Sequence, residues 1–404
     1  MPTSTARWLK VSLFNLLVVA AIGMILRYKI AFSLPFIDQK HLMHAHSHFA
    51  FAGWITMVLM TLMVAYLSQE LGKSVFKKYR WILFFNLVTA YGMLLSFPFE
   101  GYGKFSTGFS TLSILTNYIF ALYFWNDLNR LKSKSISHRW FKAALLFNAL
   151  SSLGTFALAI MMATGNVHQH SYLASIYFYL HFQYNGWFFF ACMGLFTGWI
   201  IDDPGLQDAH NKTFWSFALS CIPAFFLSAL WLPIPFWVYM VVVLAALAQL
   251  TGWVWLLWSI KSQASYIKSK MGSVAFRILI LSAIALTLKL LLQTGSTIPS
   301  LSDLSFGFRP IVIGYLHLVL LGVITLFIIG YIIGRKYLHV GNRLLWGTGI
   351  FVVAVILNEL LLMIQGVAGI FDNHVPSINH FLLLVAAMLF TGLLVMNLSG
   401  HGKH

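Results

Sequence analysis

The chain has 404 residues, 59% hydrophobic and only 9% charged, with a formal net charge of +16. Soluble globular domains carry about 25% charged residues, so this balance excludes one and points to the bilayer as solvent. The positive charge raises the question of a nucleic-acid surface, but the placement of the basic residues along the chain answers it otherwise.

Apolar runs of about 20 residues, the length that crosses a bilayer as a helix, recur along the whole chain. In order they predict twelve transmembrane helices, at 9–28, 44–68, 79–98, 107–127, 139–163, 172–201, 213–231, 235–259, 274–293, 310–334, 344–366 and 378–398. Together they make one all-α integral membrane domain over 1–404, with the tight Pro233/Pro235 turn between the seventh and eighth spans. The runs are continuous rather than alternating, which predicts helices and not a barrel. The first run is long and lacks a small-residue cleavage site, so it reads as a retained span.

With twelve spans both termini share a side, and that side holds all but six of the 26 Lys and Arg. They cluster at Lys73/Lys77/Lys78/Arg80, Arg130/Lys132/Lys134/Arg139, Lys261/Lys268/Lys270/Arg277 and Arg335/Lys336/Arg343. The other side keeps Arg27, Lys29, Lys40, Lys104, Lys289 and Arg309. The positive-inside rule then puts both termini in the cytoplasm and the chain in the inner (cytoplasmic) membrane. The charge is a topology signal, the expected partner is lipid, and nucleic acid is excluded.

Under this topology ten of the fifteen histidines fall in the outer half. His41, His44, His46 and His48 open the second span. His168 and His170 precede the sixth, and His181 lies deeper inside it. His317 comes early in the tenth, and His374 and His380 flank the start of the twelfth. Imidazole in hydrocarbon is costly and marks a bound group or a pathway; it is also the commonest metal ligand. His317 follows Pro310 by seven residues, roughly 10 Å into the helix, and His48 lies at similar depth. Two imidazoles at one depth predict bis-His ligation of one haem, the arrangement of an electron-transfer haem. The competing reading of any single histidine is a hydrogen bond to a neighbouring helix. His44, His46, His168, His170, His374 and His380 predict a separate, shallower metal site, with His41 at the water interface. Cys192 and Cys221 fall inside spans and form no metal motif.

Two charged residues complete the set. Glu359 is the only carboxylate well inside a span; it reads as a proton-route acid or as a neutral acid bonded to Asn358 or Gln365. Arg309, at the mouth of the tenth span, reads as a partner for a haem propionate or as an interface anchor.

These residues resemble subunit I of the haem–copper oxidase superfamily, nearest to nitric oxide reductases and C-family oxygen reductases. The resemblance implies a twelve-helix bundle with cytoplasmic termini. It rests on His48 followed by an apolar helix ending at Gln69-Glu70, and on the stretch Ile313-Gly314-Tyr315-Leu316-His317-Leu318-Val319-Leu320-Leu321-Gly322. There His317 stands where the family binds the low-spin haem, and Tyr315 stands where it binds the catalytic one. His181-Phe182-Gln183-Tyr184-Asn185-Gly186-Trp187 is similar to the helix-six metal motif, with Asn185 in place of a glutamate and Tyr184 one residue out of register for a cross-linked tyrosine. The departure is in helix seven: the family's His-His pair is missing from Leu230-Trp231-Leu232-Pro233-Ile234-Pro235-Phe236-Trp237. His181 is then left as a lone metal candidate.

The expectation is a b-type haem membrane protein with a degenerate dinuclear centre, acting in electron transfer or in NO or O₂ handling. A second haem, copper or iron is a further possibility. Tyr315, Asn185, Tyr184 and Glu359 are the catalytic candidates if the protein is instead an active NO or O₂ reductase with an unusual metal site. A reading of another class is a metal transporter using the outer histidines. No Cys-x-x-Cys-His motif occurs, so electrons from cytochrome c would require a partner subunit or a soluble donor; quinol is the other candidate donor.

Overall fold

The computed structural model describes residues 3–132, 135–200, 204–301, 309–373 and 375–401. Among the described residues the regular structure is entirely helical. Nine helices there are long and apolar enough to cross a membrane, so the chain is a helical, multi-pass membrane protein. They are α1 (Thr3–Ala31), α2 (Gln39–Glu70), α3 (Phe76–Glu100), α5 (Ile136–Thr164), α8 (Phe236–Ser262), α10 (Ser273–Gly295), α11 (Arg309–Gly334), α12 (Asn342–Ile370) and α13 (Ile378–Asn397). A short helix, α9 (Ala264–Met271), joins α8 to α10.

The other three expected spans also fold as helices: α4 (Lys104–Asn129), α6 (169–200) and α7 (Pro204–Cys221). They interleave apolar residues with Ser, Thr, Asn and Gln, which keeps them from standing out as spans on apolarity alone. The seventh predicted span, 213–231, is not one helix. The α-helix stops at Cys221 and the chain continues as a 3₁₀ turn, Pro223–Ser228, before α8 starts behind Pro235. Proline has no N–H to give and its ring crowds the carbonyl four residues back, so Pro223 breaks the helix ahead of the Pro233/Pro235 turn.

The chain divides into two compact units, Met1–Leu131 with Arg335–His404, and Lys132–Gly334. In the first, α12 packs along α13, α13 along α1, and α3 along α4. Helices α12 and α13 approach closely at Gly347 and Gly392, where a Cβ on Gly347 would stand 2.7 Å from the Gly392 carbonyl oxygen. Small residues of this kind let membrane helices meet backbone to backbone. Helix α2 is apolar all round, and every residue from 51 to 68 is buried, as expected of an interior helix. Its far end is tied by Gln69, whose Nε2 donates to Tyr337 Oη at 2.9 Å and whose Oε1 accepts from Arg335. In the second unit α5 pairs with α6, α7 with α8, and α10 with α11.

Asp127 locks α3 to α4. It accepts from Lys78 Nζ at 2.6 and 2.7 Å and from the buried Tyr79 hydroxyl at 2.8 Å. Asp127→Ala strands that hydroxyl and is expected to cost about 1–3 kcal/mol, read as a lower thermal midpoint of the purified protein. Tyr79→Phe in the same background should then add little, because the two act through one bond.

Candidate functional site

Three π-helical segments occur among the described residues, and each begins on the residue after a histidine. The α-helical part of α2 ends at His48 and Phe49–Thr56 is π. In α6 it ends at His181 and Phe182–Phe188 is π. In α11 it ends at His317 and Leu318–Thr325 is π. A π turn bonds residue i to i+5 and occurs in folded proteins mostly at functional sites. Five residues after each of these histidines stands a glycine: Gly53, Gly186 and Gly322. No other histidine in the chain has glycine at that spacing.

Widening a helix disturbs its regular hydrogen-bond ladder, and buried backbone carbonyls must still find donors. Side chains of neighbouring helices supply them. In the first unit Asn15 Nδ2 donates to the Gly53 carbonyl at 2.6 Å and Asn86 Nδ2 to the Ala52 carbonyl at 3.1 Å, while Tyr91 Oη donates to Asn15 Oδ1 at 2.9 Å. In the second unit Ser282 Oγ donates to the Val323 carbonyl at 2.8 Å. Asn15, Asn86 and Ser282 are all buried inside spans. Asn86→Leu removes one donor and is expected to destabilise the protein by about 1–3 kcal/mol, measured as a fall in thermal midpoint.

At the mouth of α2, Asp38 caps the helix: the His41 backbone N–H donates to Asp38 Oδ1 at 2.8 Å, and this bond holds the carboxyl below its ordinary range. The four imidazoles then fan out. The His41 ring lies against Gly101 and the His46 ring against Gly23. The His44 ring meets Tyr102 edge-on at 4.6 Å, and its buried Nε2 has no hydrogen-bond partner among the described residues. The His48 ring stacks on Phe97 at 4.4 Å, with Nε2 3.2 Å from the Tyr102 hydroxyl. Successive helical positions turn by about 100°, so a run at every second or third residue spreads around the helix. His380 contacts Phe32 edge-on at 5.3 Å, and His374 lies outside the described residues. Glu359 Oε1 accepts from Asn358 Nδ2 at 3.1 Å, one of the two amides expected for it.

In the second unit His168 immediately precedes α6 and His170 sits in its first turn, edge-on to Trp231 at 5.4 Å. His181 is fully buried. Its Nε2 donates to the Cys221 carbonyl at 2.8 Å, which leaves Nδ1 to accept from Asn185 Nδ2 at 3.1 Å. In a neutral ring this arrangement commits both nitrogens. The Tyr184 and Tyr315 rings lie 6.4 Å apart, edge to face. Arg309 is the exposed first residue of α11. His317 Nδ1 lies 2.8 Å from the Ile313 carbonyl oxygen; a carbonyl only accepts, so Nδ1 carries the proton and Nε2 the lone pair.

These donors bear differently on a bound metal. An axial haem ligand is a neutral imidazole that presents one lone pair and anchors its other N–H on a carbonyl, and His317 has that chemistry. His48 presents Nε2 toward a tyrosine hydroxyl, and its ring is held in place by Phe97. His317 has the chemistry of a haem ligand, and His48 would be one once the Tyr102 hydroxyl turns away from Nε2. His181, engaged at both nitrogens, fits a structural role. Among the described residues no group of three His, Cys, Asp or Glu is placed to hold a metal ion. Sequence reasoning missed Asn15, Asn86 and Ser282, which donate to carbonyls in two of the three π segments, and Lys289, which the structure buries inside α10. No family model matches the chain, and no curated protein matches it.

Proposed function

We propose that the chain is a b-type haem protein of the inner membrane that transfers electrons, with His48 and His317 as the two axial ligands. The fold proposed with it is a twelve-helix bundle like subunit I of the haem–copper oxidases, with cytoplasmic termini. The observation that carries the reading is the α-to-π junction at three histidines singled out from sequence for haem or metal, each with a glycine one π step on. The pairing of His48 with His317 rests on their matching depth along two predicted spans.

Each residue then has a defined part. The Ile313 carbonyl holds the His317 proton on Nδ1 and keeps Nε2 basic. Phe97 fixes the plane of the His48 ring, and Asn15 and Asn86 hold the backbone that follows it. Held by these two imidazoles, the haem group would supply one-electron exchange and not the binding of a gas. The hydrogen bonds on His181 favour this reading over a second metal beside it. Arg309 is the proposed propionate partner, and a cytochrome c, a quinol or a partner subunit the proposed donor.

The full chain, purified from cells supplied with haem precursor, tests the reading through its reduced-minus-oxidised spectrum. Sharp low-spin b-type bands with no consumption of NO or O₂ support it. Turnover of either gas would support a reductase instead.

A further inference from the structure

We infer that the second unit holds a small monovalent anion, of the halide class and no larger than chloride, beside the Lys289 ammonium. Lys289 lies sixteen residues into α10 and is 4% exposed. Its Nζ donates to Gln293 Oε1 at 2.5 Å. That bond orients the Gln293 amide, whose Nε2 donates to Gln249 Oε1 at 2.7 Å. The relay in turn fixes Gln249 with its oxygen used and its NH₂ group left to donate elsewhere.

Lys289, Gln249, Asn185 and Tyr184 line one cavity of about 10 Å³, together with Phe189, Phe217 and other apolar residues. That is room for a single water-sized body. The donors around it are an ammonium with three N–H groups, of which Gln293 takes one, and the Gln249 NH₂. Among the described residues no carboxylate forms an ion pair with the Lys289 ammonium. The ion pairs among the described residues join Lys78 and Arg130 to Asp127, and Lys212 to Asp208. A charge taken out of water without a partner is strongly disfavoured. A monovalent anion restores neutrality and fills the donors at once, whereas a metal cation would face an ammonium. The inference does not depend on haem: a colourless protein would show the same anion response.

The test is thermal unfolding of the purified full chain in detergent, with chloride replacing gluconate at constant ionic strength. The midpoint is expected to rise along a saturating curve by several degrees, with iodide producing no such rise. Lys289→Met should abolish the chloride response. Gln249→Leu should weaken it at least several-fold, and carries the test alone if the lysine variant does not fold. A wild-type midpoint indifferent to chloride would overturn the inference. So would an equal response to iodide, or a response that survives in the variants.

Discussion

His48→Ala and His317→Ala are each expected to abolish the low-spin haem spectrum, with loss of at least about nine-tenths of the reduced-state band. Each substitution deletes an imidazole that no described neighbour replaces, and six-coordinate low-spin iron requires both ligands. The two variants should also behave alike, because losing either ligand leaves the same deficit. Their partners separate ligation from folding. His44→Ala and His181→Ala should keep the band, the first because His44 lies against Tyr102 and Phe97, the second because His181 spends its nitrogens on Cys221 and Asn185. Loss of the band in His181→Ala with its retention in His48→Ala would reverse the assignment. Tyr102→Phe offers a finer readout. It removes the hydroxyl 3.2 Å from His48 Nε2 while leaving the ring, so the band should persist with an altered reduction potential.

Gly53→Ala is expected to be strongly disruptive, because its added methyl would fall inside the π segment that follows His48. A Cβ at position 53 would stand 2.6 Å from Phe49 Cε2, and the Phe49 ring is fully buried. Nothing in the interior yields cheaply at that distance, since cores are close-packed. Overpacking of this kind costs about 1–3 kcal/mol, and here the strain falls on the π segment that follows His48. The expected result is a lower thermal midpoint together with lower haem occupancy. Gly349→Ala is the matched control: a Cβ there meets no atom within 4 Å, and exchanging glycine for alanine inside a helix is favourable by about 1 kcal/mol. A silent Gly53→Ala would mean that the π segment does not need its glycine.

Much of the architecture was legible because a bilayer imposes a crude rule, a continuous apolar run of fixed length. Where polar residues enter the runs the rule weakens, and α4, α6 and α7 are the result. The break at Pro223 was legible in principle, but the prolines at Pro233 and Pro235 drew the boundary instead. The histidines were legible by residue type, since imidazole inside a membrane is rare and expensive. Their π junctions were not, because a π turn is stabilised by donors from remote parts of the chain: Asn15 and Asn86 reach the first, and Ser282 the third. The spacing His-x₄-Gly, repeated at His48, His181 and His317, was the one local signal of them. Lys289 misled by position. A lysine near the end of a span is expected to reach toward the interface, and this one folds inward to Gln293 and Gln249.

The central claim is that this membrane protein carries haem on His48 and His317. The most direct measurement is the haem content of the purified full chain by pyridine haemochrome, set against protein concentration. The account predicts one b-type haem per chain in the wild type and almost none in the His48→Ala/His317→Ala double variant. A colourless wild-type chain from haem-replete cells, or a double variant as coloured as the wild type, would contradict it.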